Sequence, residues 1–421
     1  MPKRRYILES NLHHAFPDRS KEWRQAMVRE NAARVVEMGL LVLALPHLSK
    51  RQLLERIHIS GESRRKYNAL INTKKPILLL VPHFTLYEYI PMIPGLMNWK
   101  EFNIAAIFRP LKNESLNKWV QHTRERYGVK LLSRQKGFNQ ARNVLSENGV
   151  LSVLFDQNAR RGGTLMTYLG RIASTTELPR ILAEHYIFKT FIFHSRRTSF
   201  WKANMELVEL DTEEPKEIIK KAHEWMENAF SSYDDVCADW LWMHDRWKTQ
   251  DHPNERFTLS HKKQKIDFTK MRTGYRLWIR LDDDSEIANS TLPLIKALKK
   301  GRPDARITIL LPDEIKGEMN VDKIADHVID LPPLAEPYRL RNLQAFQDVF
   351  PDTHLLLTQS PDAEQEAEVI QAPQRFGLTL PNVPRLGLTH SYQGNSKEPL
   401  LTSLEKMLRH FGLKEEISTN S

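Results

Sequence analysis

The sequence predicts an α/β protein: an αβα arrangement behind a helical N-terminal region, followed by a second Rossmann-like α/β domain. Three observations support this. Ile77 to Val81 is a continuous apolar run of strand length, as expected for a strand covered on both faces. Comparable runs recur at Ile104 to Phe108, Gly149 to Phe155 and Phe191 to His194, with helix-spaced segments between them. A second alternating series opens at Tyr275, after a polar stretch containing Pro253.

Residues 1–75 read as helices. Glu22 to Leu45 has apolar residues at helical spacing, preceded by the turn and cap residues Pro17, Asp18 and Ser20. Ser49 is a candidate N-cap for a second helix running to Ile57. The most apolar window, Met38 to Pro46, is too short to cross a bilayer and reads as a buried helix. No signal peptide follows the basic start Lys3-Arg4-Arg5.

Proline 82 closes the first strand because it has no amide hydrogen for a ladder. His83 follows at once and Glu88 comes five positions later, a pattern H-x4-E. The next two strands end in Arg109-Pro110 and in Asp156-Gln157. Polar groups at several strand ends point to one site at the carboxyl edge of a sheet. A histidine there can serve as a general base, and a nearby carboxylate can hold its ring. Residues 216–248 return to helix and finish in the aromatic and basic string Trp240 to Lys248.

Thr249 to Lys270 reads as an interdomain connection, giving domains 1–250 and 273–421 with a linker at 251–272 that includes His261-Lys262-Lys263. In the second domain the predicted strands are Arg276–Leu281, Ala305–Leu311, Ala325–Leu331 and His354–Thr358. The predicted helices are Glu286–Lys299, Arg339–Val349 and Leu400–Phe411. Its first strand-to-helix turn, Asp282 to Glu286, has no glycine and several carboxylates, which disfavours a dinucleotide phosphate.

Composition narrows the function. A single cysteine, Cys237, excludes a disulfide framework and a Cys-based zinc site. No G-x-S-x-G, P-loop or H-E-x-x-H is present, and no metal is expected. Residues 272–421 carry 18 Lys and Arg against 22 Asp and Glu, which leaves the first 271 residues near +14 of the net +10. That basic surface suits an anionic lipid or an acidic protein. Nucleic acid is not expected, because no binding motif accompanies the charge.

Residues 1–248 resemble the late acyltransferases of lipid A biosynthesis, within the wider lysophospholipid acyltransferase superfamily. The matching pieces are Asn11-Leu12 with Ala15-Phe16-Pro17, His83-x4-Glu88, Arg109-Pro110-Leu111 and Arg126-Tyr127-Gly128-Val129. Further on come Asp156-Gln157, Tyr168-Leu169-Gly170 and Trp240 to Trp247. The chain begins almost at the Asn-Leu motif, where the family has a preceding apolar anchor. Thr176-Glu177-Leu178 stands where it has a glycine. The resemblance implies transfer of a fatty acyl chain from acyl carrier protein thioester to a hydroxyl of a lipid A precursor. It implies no cofactor, an anionic glycolipid acceptor, and peripheral contact with the cytoplasmic face of the inner membrane. His83 would be the base, Glu88 its orienting carboxylate, and Arg109, Arg126, Asp156 and Gln157 would bind substrate or brace the site. Residues 275–421 resemble the N-terminal, acceptor-side half of a GT-B heptosyltransferase. That likeness rests on Leu277 to Leu281, Pro293 to Leu298, Pro303 to Thr308, Arg375-Phe376-Gly377 and Leu388-Thr389-His390. The Gly-Asp of that family is replaced by Ser285-Glu286, and its nucleotide-sugar half has no counterpart in this sequence. A non-catalytic or glycosyltransferase-associated protein of lipopolysaccharide assembly remains the alternative.

Overall fold

A computed structural model describes every residue except 1, 73–74, 98, 100–102, 135–136, 213, 249–251, 260–263, 334–337, 382 and 418–421. The chain forms two compact units. The first comprises Met1–Leu12, Arg19–Thr164 and Ser174–Arg246; the second comprises His13–Asp18, Leu165–Ala173 and Trp247–Ser421.

The N-terminal region is helical: α1 (Pro2–Ala15), α2 (Lys21–Ala44) and α3 (Lys50–Leu54). Ser20 caps α2 by accepting from the Trp23 amide at 3.2 Å. Ser49 and Gln52 form a capping box, each side chain taking the other's amide. The apolar window at the end of α2 is not fully buried. Leu41 and Leu45 face the core, while Val36, Leu40 and Leu43 lie on an open face.

The first unit is built on strands β1 (Ile57–Ile59), β2 (Ile77–Val81), β3 (Ile104–Phe108), β4 (Val129–Ser133) and β5 (Val150–Leu154). A hairpin, β6 (Thr164–Tyr168) and β7 (Arg171–Thr175), precedes β8 (Lys189–Ser199) and β9 (Lys202–Glu209). The sheet order is β1-β9-β8-β2-β5-β3-β4, with β8 and β9 antiparallel and the other pairs parallel. Every residue of β2 is buried, which is why it reads as an unbroken apolar run. Its helices are α4 (Gly61–Asn72), α5 (Ile93–Leu96), α6 (Glu114–Glu125), α7 (Phe138–Ser146), α8 (Leu178–Ala183), α9 (Ile218–Ser232) and α10 (Asp234–Asp239).

Five strands of this part of the chain escape sequence reading, for different reasons. The β1 strand is three residues long. The β4 and β9 strands alternate polar and apolar residues, and so give no continuous apolar run. The β6–β7 turn uses Leu169 and Gly170, both at positive φ, and leucine gives no signal for such a turn. The helix expected through residue 248 ends at Asp239. Trp240 is extended and bridges antiparallel to Phe84 instead.

The second unit holds β10 (Gln264–Lys265), β11 (Tyr275–Arg280), β12 (Ala305–Pro312), β13 (His327–Leu331), β14 (Thr353–Leu356), β15 (Gln374–Thr379) and β16 (His390–Gln393). Its main sheet is parallel throughout, in the order β13-β12-β11-β14-β15-β16. The flanking helices are α11 (Ser285–Ser290), α12 (Leu292–Gly301), α13 (Arg339–Gln344), α14 (Pro361–Ile370) and α15 (Leu400–His410). The helix expected over 286–299 is two helices, because Pro293 has no amide for a continuous ladder and starts a new first turn.

The stretch read as a linker contains a packed segment, Arg256 to Leu259, among residues that are mostly exposed. Arg256 and Phe257 are fully buried, and Leu259 donates its amide to the Gly301 carbonyl at 2.8 Å. Arg256 and Arg302 lie over the Tyr275 ring at 4.3 and 4.0 Å. The basic cluster His261-Lys262-Lys263 lies outside the described residues. Phe257→Ala is expected to cost about 3–5 kcal/mol, read by urea unfolding of the second unit's transition. A linker residue would change stability by less than about 0.5 kcal/mol.

His223 on α9 is enclosed in the first unit. Its Nδ1–H donates to the Ile219 carbonyl at 2.8 Å and its Nε2 faces Arg246 Nη2 at 3.3 Å. Burial, reinforced by Arg246, pushes its pKa down to about 3. The unfolded chain, with a value near ~6.5, therefore takes up the proton first. The contribution is complete above that value and is lost as pH falls toward about 3. Stability should drop by about 2 kcal/mol from this residue between pH 7 and pH 5. Denaturant titrations of wild type and His223→Asn at the two pH values check this, and the variant should lose less.

Candidate active site

Strand register brings His83 and Asp156 together. Val81 pairs with Leu154 across β2 and β5, so the residues two positions beyond each strand are neighbours at the sheet's carboxyl edge. His83 Nδ1 lies 2.6 Å from Asp156 Oδ1, and the His83 amide donates to Oδ2 at 2.8 Å. The Trp240 indole N–H donates to the same Oδ2 at 2.6 Å. Asp156 is fully buried. Burial alone would raise its pKa. The His83 charge and the donors from His83 and Trp240 outweigh this and hold it well below the usual carboxylate range. An ionised carboxylate only accepts, so Nδ1 carries a proton, and in the neutral ring Nε2 is then the nitrogen with the lone pair. That lone pair has no protein partner among the described residues.

Glu88 does not hold the ring, contrary to the reading from spacing. Both its oxygens are taken by Arg124, whose Nε and Nη2 donate at 2.9 and 2.5 Å. The turn after Pro82 runs Phe84 to Leu86 into a 3₁₀ segment at Tyr87–Met92, and this carries Glu88 away from the Asp156 side. Burial works against the Arg124 charge, but the Glu88 carboxylate overcomes this and keeps Arg124 firmly protonated. The Tyr87 ring lies 5.2 Å from the His83 ring, between the two charge systems. Burial, then the Glu88 charge, pushes its hydroxyl pKa well up.

The remaining expected residues are dispersed. Arg109, past the end of β3, is exposed, and its side chain makes no hydrogen bond or ion pair among the described residues. Arg126 is exposed at the far end of α6, where it donates to the Pro46 carbonyl at 2.9 Å. Gln157 is half-buried beside Asp156. Cys237 is buried, and burial raises its thiol pKa, so no thiolate is available there.

The segment from Ala238 to Arg246 supports the pair from below, and this role was not evident from sequence. Asn31 donates to the Ala238 and Trp240 carbonyls at 2.8 and 2.6 Å. Asn11 donates to the Trp242 and His244 carbonyls at 2.8 and 3.0 Å. His244 Nε2 accepts the Asn158 amide at 3.0 Å, and Asn158 donates to the Arg246 carbonyl at 2.8 Å. The helical asparagines thus fix the loop that presents the Trp240 N–H. Their only cue was an Asn at a position spaced to fall on the buried face of each helix, Asn11 beside Leu8 and Leu12 and Asn31 beside Met27.

An apolar cavity of about 420 Å³, open space included, adjoins Tyr87, Glu88 and Arg124 and runs along Val81, Phe108 and Leu154. A second of about 350 Å³ shares Ile90, Pro91, Ala106 and Ser152 with it and reaches the stacked Tyr67 and Trp99. Their shared wall residues put the two side by side, an apolar channel in two parts beginning at Tyr87, Glu88 and Arg124. No cluster of metal-ligating side chains occurs among the described residues.

Comparison with known proteins follows this geometry. The profile of the family described as bacterial lipid A biosynthesis acyltransferase matches residues 1–249. A search of curated proteins by sequence returned no match. Among solved structures, a glycosyl transferase family 9 protein from Veillonella parvula is similar at 15% identity and a TM-score of 0.30, over 35% of this chain and 43% of that one. The E. coli heptosyltransferase WaaC, solved with ADP-2-deoxy-2-fluoro heptose, is similar at 9% identity and a TM-score of 0.29, over 35% of this chain and 50% of that one. The chain therefore spans half or less of these two structures. The Streptococcus pneumoniae glycosyltransferase GlyE is similar at 11% identity and a TM-score of 0.21, over 79% of this chain and 98% of that one. Likenesses of this size carry no argument about activity. With the family profile covering more than half of its length, the chain belongs to the bacterial lipid A biosynthesis acyltransferase family.

Proposed function

We propose that the first unit transfers a fatty acyl chain from acyl carrier protein thioester to a hydroxyl of a lipid A precursor, with His83 as general base. The observation that carries this is the buried His83–Asp156 pair at the carboxyl edge of the sheet, with His83 against Tyr87, a wall residue of the apolar cavity. An alcohol is a weak nucleophile until its proton is removed, and His83 Nε2 is free to take it. Asp156 stabilises the imidazolium as it forms, and Trp240 holds Asp156. The attack breaks the thioester C–S bond through a tetrahedral intermediate. The thiol leaves as thiolate, its pKa being near ~8.5, and the imidazolium can then protonate it. Arg124, on the channel wall and fixed by Glu88, offers positive charge to the oxyanion. The channel accommodates the acyl chain.

The basic surface of the first 271 residues supports an acidic acyl carrier protein and an anionic acceptor as partners. No helix among the described residues is long and apolar enough to cross a membrane. Peripheral binding at the cytoplasmic face of the inner membrane is the localisation we propose. No cofactor enters this chemistry.

The second unit does not transfer sugar in this proposal. Its Asp284 caps α11, accepting from the Glu286 and Ile287 amides at 2.8 and 3.1 Å, so the donors a diphosphate would need are taken by a carboxylate.

In an acyl-carrier-protein thioester assay, His83→Ala should lower turnover on the order of 10²–10⁴-fold. Asp156→Asn should fall in the same range, because the amide no longer balances the imidazolium. Glu88→Gln should lower it less, through a loosened Arg124. Wild-type turnover in His83→Ala would sink the reading in favour of a non-catalytic protein. Isothermal titration of the full chain with ADP-heptose should give no heat, and micromolar binding would overturn the assignment of the second unit.

A further inference from the structure

The carboxyl edge that holds His83 continues across β3 and β4, and there it changes character. Phe108 and Ser133 are register partners, and the Arg134 amide donates to the Phe108 carbonyl at 2.9 Å. Arg109 and Arg134 are therefore the next neighbours beyond the sheet. Both are exposed, and neither guanidinium makes a hydrogen bond or ion pair among the described residues. Two adjacent cations without a counter-ion repel each other. Residues 109–118 and 134–142 together carry six Lys and Arg against one carboxylate, Glu114.

Three large apolar side chains stand open among these cations: Leu111 at 43%, Leu116 at 49% and Phe138 at 40% exposure. Leu111 follows Arg109 directly, Leu116 is in the first turn of α6, and Phe138 opens α7. Helices that follow parallel strands start at the carboxyl edge, so all three flank the arginines. Phe108, one residue before Arg109, lines the channel. With strands about 4.8 Å apart, the end of β3 lies about 10 Å from that of β2. An open surface with interleaved cations and aliphatic groups matches the interface of a membrane with anionic lipid phosphates.

We infer that this rim, made by Arg109, Leu111, Leu116, Arg134 and Phe138, is where the protein docks on an anionic bilayer. A lipid phosphate monoester bridges the two arginines, and the apolar side chains enter the acyl layer. The inference rests on the acyltransferase reading of the same site. It gives the acceptor a route from the bilayer to His83. A second open apolar stripe exists on α2, at Val36, Leu40 and Leu43, and it is the competitor the test must separate.

The full chain is sedimented with phosphatidylcholine vesicles, with and without phosphatidic acid. Binding should require phosphatidic acid. Arg109→Gln/Arg134→Gln should weaken it roughly 30-fold, since each basic side chain near an anionic surface contributes a factor of about 5. Leu111→Ser/Leu116→Ser/Phe138→Ser should abolish it, with thermal unfolding unchanged in both variants. His83→Ala should bind like wild type, which separates failure of docking from failure of the chemistry. Wild-type binding by both rim variants overturns the inference. So does loss confined to Val36→Ser/Leu40→Ser/Leu43→Ser. Release by inorganic phosphate alone, with no effect of the apolar substitutions, reduces the site to a phosphate site and also overturns it. If a rim variant unfolds, phenylglyoxal labelling of wild type decides instead: phosphatidic acid vesicles should protect Arg109 and Arg134 more than Arg126.

Discussion

Much of the first unit turns on one buried carboxylate. Asp156 sits in a place where a charge is costly unless several donors meet it. Those donors come from three parts of the chain: the His83 amide, the His83 ring and the Trp240 indole. To bring them together, β2 and β5 must pair in one register, and residues 238–246 must pass beneath the sheet edge. The asparagines of the first two helices hold that segment through its carbonyls. Arg34 also binds Asp239 at 2.7 Å. The helical N-terminal region is thus part of the support for the His83–Asp156 pair.

A second charge system, Glu88 with Arg124, stands apart from the first. The bidentate contact fixes the guanidinium plane and keeps a cation on the wall of an otherwise apolar channel. The H-x4-E spacing thus places its two residues in separate charge systems, His83 with Asp156 and Glu88 with Arg124, instead of one dyad. Tyr87 lies between them, with its hydroxyl kept neutral by burial and by Glu88.

What the sequence made legible was the repeated end of a buried strand in a polar residue. Ile77–Val81 is apolar throughout and Val150–Leu154 at all but Ser152, so the position of His83 and Asp156 at one edge followed from pattern. Which carboxylate faces His83 did not follow, because a loop between β2 and Glu88 can point its residues either way. The register could have decided it, since both residues lie two positions past paired strand ends. Trp240 is a core residue, and its N–H direction depends on a bridge to Phe84 that no local pattern encodes. The packed state of residues 256–259 was hidden by polar neighbours, where Arg256 is buried by stacking on Tyr275.

The second unit is not a continuous piece of chain. It takes in His13–Asp18 and Leu165–Ala173, where Arg171 pairs with Asp352 at 2.7 Å and Thr273 donates to the His14 carbonyl at 3.0 Å. Their partners lie up to 259 residues further along the chain. Such distant pairings carry a large loop-closure cost and close late. During synthesis, His13 and the β6–β7 hairpin leave the ribosome long before the strands they pack against exist. Until then the residues around the buried His14 stay open to solvent and to other chains. The nascent protein therefore passes through a stage in which its first half is nearly built but not yet closed, the stage at which a chaperone would have most to hold.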